Sequence, residues 1–156
     1  MRRKDRLASS EYALEVIQKC DHATLATVNE DLSPYAIAIS PATDGKYVYF
    51  HCAKKGKKVD NMTREPRVCL SCVGYAKANS EKYTMNYESA IVFGRATLVT
   101  DEEERIYALR LISEKYSMAH IDRFDEVLKA YIKATAVYRI TMDEVSVKEN
   151  REDVQE

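Results

Sequence analysis

The segment Tyr47–Arg67, YVYFHCAKKGKKVDNMTREPR, decides how the rest of the chain is read. Its first six residues alternate around tyrosines and a valine, the composition of a pleated, half-buried strand. Gly56 then permits a tight turn. The residues after it suit a short helix, and Pro66 stops that helix because the residue before a proline avoids the α region. The pattern predicts a strand over 47–52 and a helix over 57–64. A helix start presents free N–H groups and the positive end of the helix dipole. With Lys57 and Lys58 beside it, this corner suits a phosphate. A lysine run is equally what a solvated surface looks like, and the residues alone leave both readings open.

Outward from this segment the chain alternates short strands with turns. Ser9 or Ser10 can cap a helix running to about Cys20, with Leu14 and Ile17 on its apolar stripe. Residues 22–29 and 35–40 read as strands joined by a turn at Asn29–Asp31. Asp44-Gly45-Lys46 is a hairpin signal leading into the strand at Tyr47. Further strands are expected over 67–73, 88–99 and 134–142. Tyr75 to Met85 is polar and reads as a loop. Gly94, in the middle of its strand, points to a bulge, a bend or a close backbone approach. Thr100-Asp101-Glu102-Glu103 reads as a capping box for a helix to about Tyr116, and 124–133 suits another. Six strands with hairpin turns and helices at the ends predict an α+β protein with a mainly antiparallel, barrel-like sheet.

The 156 residues suit one domain with a real core. A net charge of −1 offers no global field to attract nucleic acid, and eleven tyrosines are read as strand and interface residues. No run approaches the ~20 apolar residues that span a bilayer, and a cytoplasmic location is expected. Four glycines cannot assemble a Rossmann or Walker loop. Cys69 and Cys72 form a C-x-x-C inside an expected strand. Residues three apart on a strand point to opposite faces, so these thiols are read as structural and no metal site is expected. His22 and His120 have no cluster around them.

The pieces MRRKDR, CDHATLATVNED, SPYAIAIS, DGKYVYFHCAKKGKKVD, REPRVC, YESAIVFGRATLV and VYRITMDEV, with the early helix, occur in an order that resembles the FMN-binding split-barrel superfamily that includes pyridoxamine-phosphate oxidase. Within it the sequence is most similar to the nitroimidazole-resistance flavoprotein branch. The resemblance implies a six-stranded, mainly antiparallel split β-barrel with flanking helices. Residues 1–148 would form the single FMN-binding domain, and 149–156 a charged tail. It implies FMN as cofactor, a homodimer, and clefts at the subunit interface.

By position, Lys57 and Lys58 match the family's phosphate-binding pair. Ile37, Ala38, Ile39 and Ser40 match the segment along the isoalloxazine ring, and Phe50, His51 and Cys52 the segment under the ring and ribityl chain. Thr84, Met85 and Tyr87 would approach from the partner subunit. His51 matches a histidine near the flavin's reactive face and is the candidate proton donor. Tyr35 stands nearest to the position where the oxidase branch prefers arginine, which argues against pyridoxamine-phosphate oxidation. The expected activity is reduction of small nitroaromatic compounds by the flavin. The alternatives are a flavin-binding or storage module without turnover, or a related split-barrel protein that binds haem or a deazaflavin.

Overall fold

The structure, a computed structural model, describes residues 10–150. Its elements are helix α1 (Ser10–Lys19), strands β1 (Ala23–Val28), β2 (Pro34–Ile39), β3 (Ala42–Thr43) and β4 (Tyr47–Ala53), helix α2 (Lys57–Arg64), strands β5 (Arg67–Asn79) and β6 (Thr84–Leu98), helix α3 (Glu102–Ser117), a 3-10 segment Met118–Arg123, helix α4 (Phe124–Tyr131), and strands β7 (Thr135–Thr141) and β8 (Glu144–Asn150). The strands run in the order β2-β1-β5-β6-β7-β4-β3, with β8 pairing β6 outside that path. Every pairing is antiparallel.

One strand joins two halves. Over residues 84–95 β6 pairs with β5, and Tyr87 to Phe93 also pair with β8. From Ala96 to Leu98 the same strand pairs with β7 instead. The transfer occurs around Gly94, where a Cβ would run into the Thr141 carbonyl. The close-approach reading of Gly94 is therefore the correct one.

The main core lies between the sheet halves and the helices. Leu25, Phe50, Leu70, Val92 and Ile140 are fully buried in it. Helix α1 contributes Ala13, Val16 and Ile17, an i, i+3, i+4 stripe. On its flank Glu88, itself buried, accepts from the Tyr12 hydroxyl and faces the Lys19 ammonium at 3.5 Å. The end of α3 is tied in by Lys115, whose Nζ donates to the carbonyls of Cys20 and Pro41, each at 2.7 Å. A second cluster packs Ala108 and Ile112 of α3 against Tyr49 and Val137.

The described strands number eight, where six were expected. Strand β3 has two residues, too few to show a pattern. Strand β8 carries its apolar signal only in Val145 and Val147, between charged neighbours, and it runs to Asn150, into the stretch read as a tail. Residues 151–156 of that tail lie outside the described residues, as does Ser9. The expected loop over 75–85 is two strand segments, paired from Ala76 with Tyr87 to Asn79 with Thr84. Much of this arm is exposed, so no inside–outside alternation marks it in the sequence. The cap of α3 also differs: Asp101, not Thr100, accepts from the Glu104 N–H at 2.8 Å. The opposite-face reading of Cys69 and Cys72 agrees with the structure, since Cys72 is buried and Cys69 only partly so.

Candidate functional site

Helix α2 begins at Gly56, whose φ of 137° is a backbone state that glycine adopts easily. No side chain caps this start, and a Cβ there would meet nothing within 4 Å. The Gly56 carbonyl accepts from the N–H groups of Val59 and Asp60. The N–H groups of Lys57 and Lys58 make no hydrogen bond among the described residues, as the first turn of a helix requires. The corner is therefore open, donor-rich and unobstructed.

The helix is firmly aimed. Val59 and Met62 pack into the main core with Phe50. On the opposite flank the buried Asn61 donates to Thr27 Oγ1 at 3.0 Å and to Asn29 Oδ1 at 2.9 Å. Arg64 donates to the Val28 carbonyl at 2.7 Å. These bonds lock α2 to β1. Sequence reasoning missed Asn61 and Arg64. Asn61 is a lone amide in a polar helix, a residue type whose burial no spacing announces.

The two lysines diverge. Lys57 places its ammonium 5.2 Å above the Tyr35 ring on β2, and its charge also reaches Asp31. Asp31 is held below the ordinary carboxylate range mainly by bonds from Ser33. On that side lies an open polar depression of about 580 Å³ whose lining includes Glu30, Asp31 and Asp60. Lys57 and Arg64 also line it, and against three carboxylates they leave no excess of positive charge to draw an anion. Lys58 lies near enough to the end of β4 for its charge to be felt there. Its charge acts on both His51 and Cys52. The Cys52 thiol is pushed up by burial, and Lys58 opposes that shift. His51 is held below the ordinary imidazole range, first by the protein packed around it and then by Lys58.

Strand alternation sorts the rest of the β4 segment. Phe50 is fully buried and stacks on Tyr138 with ring centroids 5.5 Å apart. Any role of Phe50 at a ligand is thereby limited to its backbone. His51 is exposed and faces the side covered by α3 and α4. On β2, which ends the strand path, Ala38 and the following Ser40 are exposed, Ile37 is half-buried and Ile39 is buried. The start of α2 follows the end of β4 in the chain, and Lys57 over the Tyr35 ring joins β2 to that corner. Thr84, Met85 and Tyr87 lie on β6, on the arm that β5 and β6 extend beyond the last β1 pair at Cys72. Among the described residues, no group of three or more His, Cys, Asp or Glu side chains converges to hold a metal ion.

Comparison with known proteins agrees with this architecture. The family model described as pyridoxamine 5′-phosphate oxidase matches residues 9–149. No curated protein matches the sequence. Among solved structures, a conserved hypothetical protein from Mycobacterium tuberculosis superposes with a TM-score of 0.82 at 20% identity, covering 97% of this chain and 91% of that one. The FAD and haem binding protein from Mycobacterium smegmatis gives 0.77 at 18% identity, covering 94% and 74%. A candidate 5-nitroimidazole antibiotic resistance protein from Bacteroides thetaiotaomicron VPI-5482 gives 0.75 at 19% identity, covering 91% and 85%. At these identities the likeness is one of fold, and the shared fold is the split barrel.

Proposed function

Because this chain belongs to the pyridoxamine 5′-phosphate oxidase family, we propose that it binds flavin mononucleotide at the corner built by β2, the end of β4 and the start of α2, and reduces small nitroaromatic compounds. The observation that carries the reading is the uncapped start of α2 at Gly56, with two free N–H groups and the Lys58 charge close enough to act on His51 and Cys52. Such a corner fits a phosphate: fixed donors, a helix dipole and an ammonium group, with room for the ligand's oxygens.

In this reading Lys58 and the N–H groups of Lys57 and Lys58 hold the phosphate. The backbone of Ile37 to Ser40 lies along the ring system at the exposed end of the sheet. The bound flavin would supply two-electron chemistry. His51 stands at the substrate. Because its surroundings disfavour the cation, the ring is mostly neutral near pH 7, with one N–H to donate. When it does take a proton, it gives it up more readily than free imidazole, which suits proton delivery to a reduced nitro group.

Thr84, Met85 and Tyr87 would complete the cleft from a second subunit, so the active form is a homodimer, and we place it in the cytoplasm. No helix among the described residues is long and apolar enough to cross a membrane.

The test begins with the cofactor. Protein purified after expression with excess riboflavin should release FMN, identified by chromatography. Release of FAD or haem, or failure to take up FMN on reconstitution, would overturn the assignment. Pre-reduced protein should then be mixed rapidly with a nitroimidazole. Reoxidation no faster than that of free reduced FMN would make the protein a flavin carrier instead of a reductase.

A further inference from the structure

A partly open recess lies apart from the phosphate corner. Helices α3 and α4 straddle the outer side of β4 and β7 and leave between them a recess of about 340 Å³. That is the small end of the ~300–1,000 Å³ range of ligand pockets. Its walls are apolar: Ile112 from α3, with Phe124 and Leu128 from α4, among others. Among the described residues, no Lys, Arg, Asp or Glu lines it. The nearby guanidinium of Arg110 lies 5.4 Å from the Phe124 ring centroid and is paired with Glu114 at 3.1 Å. It does not line the recess.

The few polar groups in the recess are informative. Thr135 spends its hydroxyl proton on the Tyr131 carbonyl at 2.9 Å. The side chains of His51 and Ser113 make no hydrogen bond among the described residues, and both line the recess. A neutral imidazole offers one donor and one acceptor, and a serine hydroxyl offers both. Lys58 acts on His51 from outside the recess and Arg105 is bound to the Ile132 and Thr135 carbonyls, so a charged ligand would find no ion-pairing group in the lining to replace its lost hydration, which is costly against apolar walls. A flat apolar ring carrying one hydrogen-bonding group would bury its ring against the helices and satisfy the two polar side chains.

We propose that the recess between α3 and α4 is a binding site for a small, uncharged aromatic molecule, its ring held by Ile112, Phe124 and Leu128 and its polar group by His51 and Ser113. The site rests on the flavin reading only for the fate of its ligand, as the seat of the compound to be reduced; occupancy itself needs no flavin.

The test uses flavin-free full-length protein and three probes of one size: benzamide, benzoate and benzylammonium. Binding is followed by calorimetry and by the His51 ring signals in NMR. Benzamide should saturate at millimolar concentration or below, and the two charged probes should bind at least tenfold more weakly. Leu128→Trp fills the recess and should abolish benzamide binding. Should that variant misfold, Ser113→Ala keeps the shape and should weaken benzamide several-fold while leaving the ring shifts of His51 on binding in place. The site is refuted by equal binding of all three probes, by no saturable benzamide binding at millimolar concentration, or by undiminished binding in a folded Leu128→Trp or in Ser113→Ala. Titrating FMN into the same preparations separates the two ideas. Benzamide bound without FMN uptake would leave this site standing and remove the flavin reading alone.

Discussion

A Cβ on Gly94 would come within 2.8 Å of the carbonyl carbon of Thr141, and nearer still to its oxygen. The contact is backbone against backbone, so no rotamer change can relieve it. It forms where β6 leaves one set of partners and joins β7. Gly94→Ala should therefore cost about 3 kcal/mol, the upper end for overpacking. In a domain of this size that is a fall in melting temperature of roughly 6–12 °C. A variant melting within a degree or two of the wild type would show that the β6–β7 junction can give way.

The divergence of the two lysines gives an unequal pair of effects. Lys57 is already engaged with the Tyr35 ring and the Asp31 charge, whereas the Lys58 charge acts on the end of β4. A charge-assisted bond to phosphate contributes roughly 1.5–3 kcal/mol. Lys58→Ala should weaken FMN binding at least tenfold, ~1.4 kcal/mol per decade, and Lys57→Ala by less. Riboflavin, which lacks the phosphate, should barely respond. Isothermal titration with both ligands measures this. Equal losses for FMN and riboflavin would assign the lysines to the fold.

His51 makes a prediction about pH. Its folded-state pKa is lowered by surrounding protein and by Lys58. The unfolded chain therefore binds a proton at higher pH than the folded one. Stability rises with pH across the window between the lowered value and the ordinary ~6.5, and is lost as pH falls through it. The change in urea midpoint between pH 8 and pH 5 should be smaller in His51→Gln than in the wild type. An identical pH dependence in the two proteins would mean that His51 titrates as it does in the unfolded chain.

Assembly can be read from one face of β6. Alternation places Met85, Tyr87, Ile91 and Phe93 on the same side of the strand. Met85 is 46% exposed and Phe93 49%. Val73 on β5 is exposed too, and its cross-strand partner Ser89 belongs to that same side of β6. An apolar stripe of this kind on a sheet face is what an interface of ~1,600 Å² is built around. Phe93→Glu should produce a monomer in analytical ultracentrifugation and should lose FMN as well, although Phe93 is no proposed FMN contact. A monomeric Phe93→Glu that keeps FMN would place the whole cleft within one chain.

The legible parts of the sequence were those where one residue type has one physical meaning. Pro66 stops a helix, and the expected span of 57–64 matches α2. Gly94 in a strand marked a bulge, a bend or a close approach, and Thr141 makes it the last. The β5–β6 arm was not legible, because burial writes the alternation and much of this arm is exposed. Strand β8 owes its place to its pairing with β6 more than to its own composition. At the site, the lysines and Gly56 stood out as a cluster, but their divergence did not. It depends on Tyr35 and Asp31, which lie more than twenty residues earlier in the chain. The recess beside His51 was hidden for the same reason, since its walls come from three separate segments.

Strand β6 is fifteen residues long, and its two ends serve different neighbours: β5 and β8 along most of its length, β7 at its close. Neither half of the barrel therefore possesses a complete hydrogen-bonded sheet of its own. Melting either half frays the strand that the other half needs, and the residues around Gly94 have no alternative partners to accept them. The molecule is expected to unfold as one cooperative unit, with no half-folded species in which the corner at Gly56 survives after the arm has come apart.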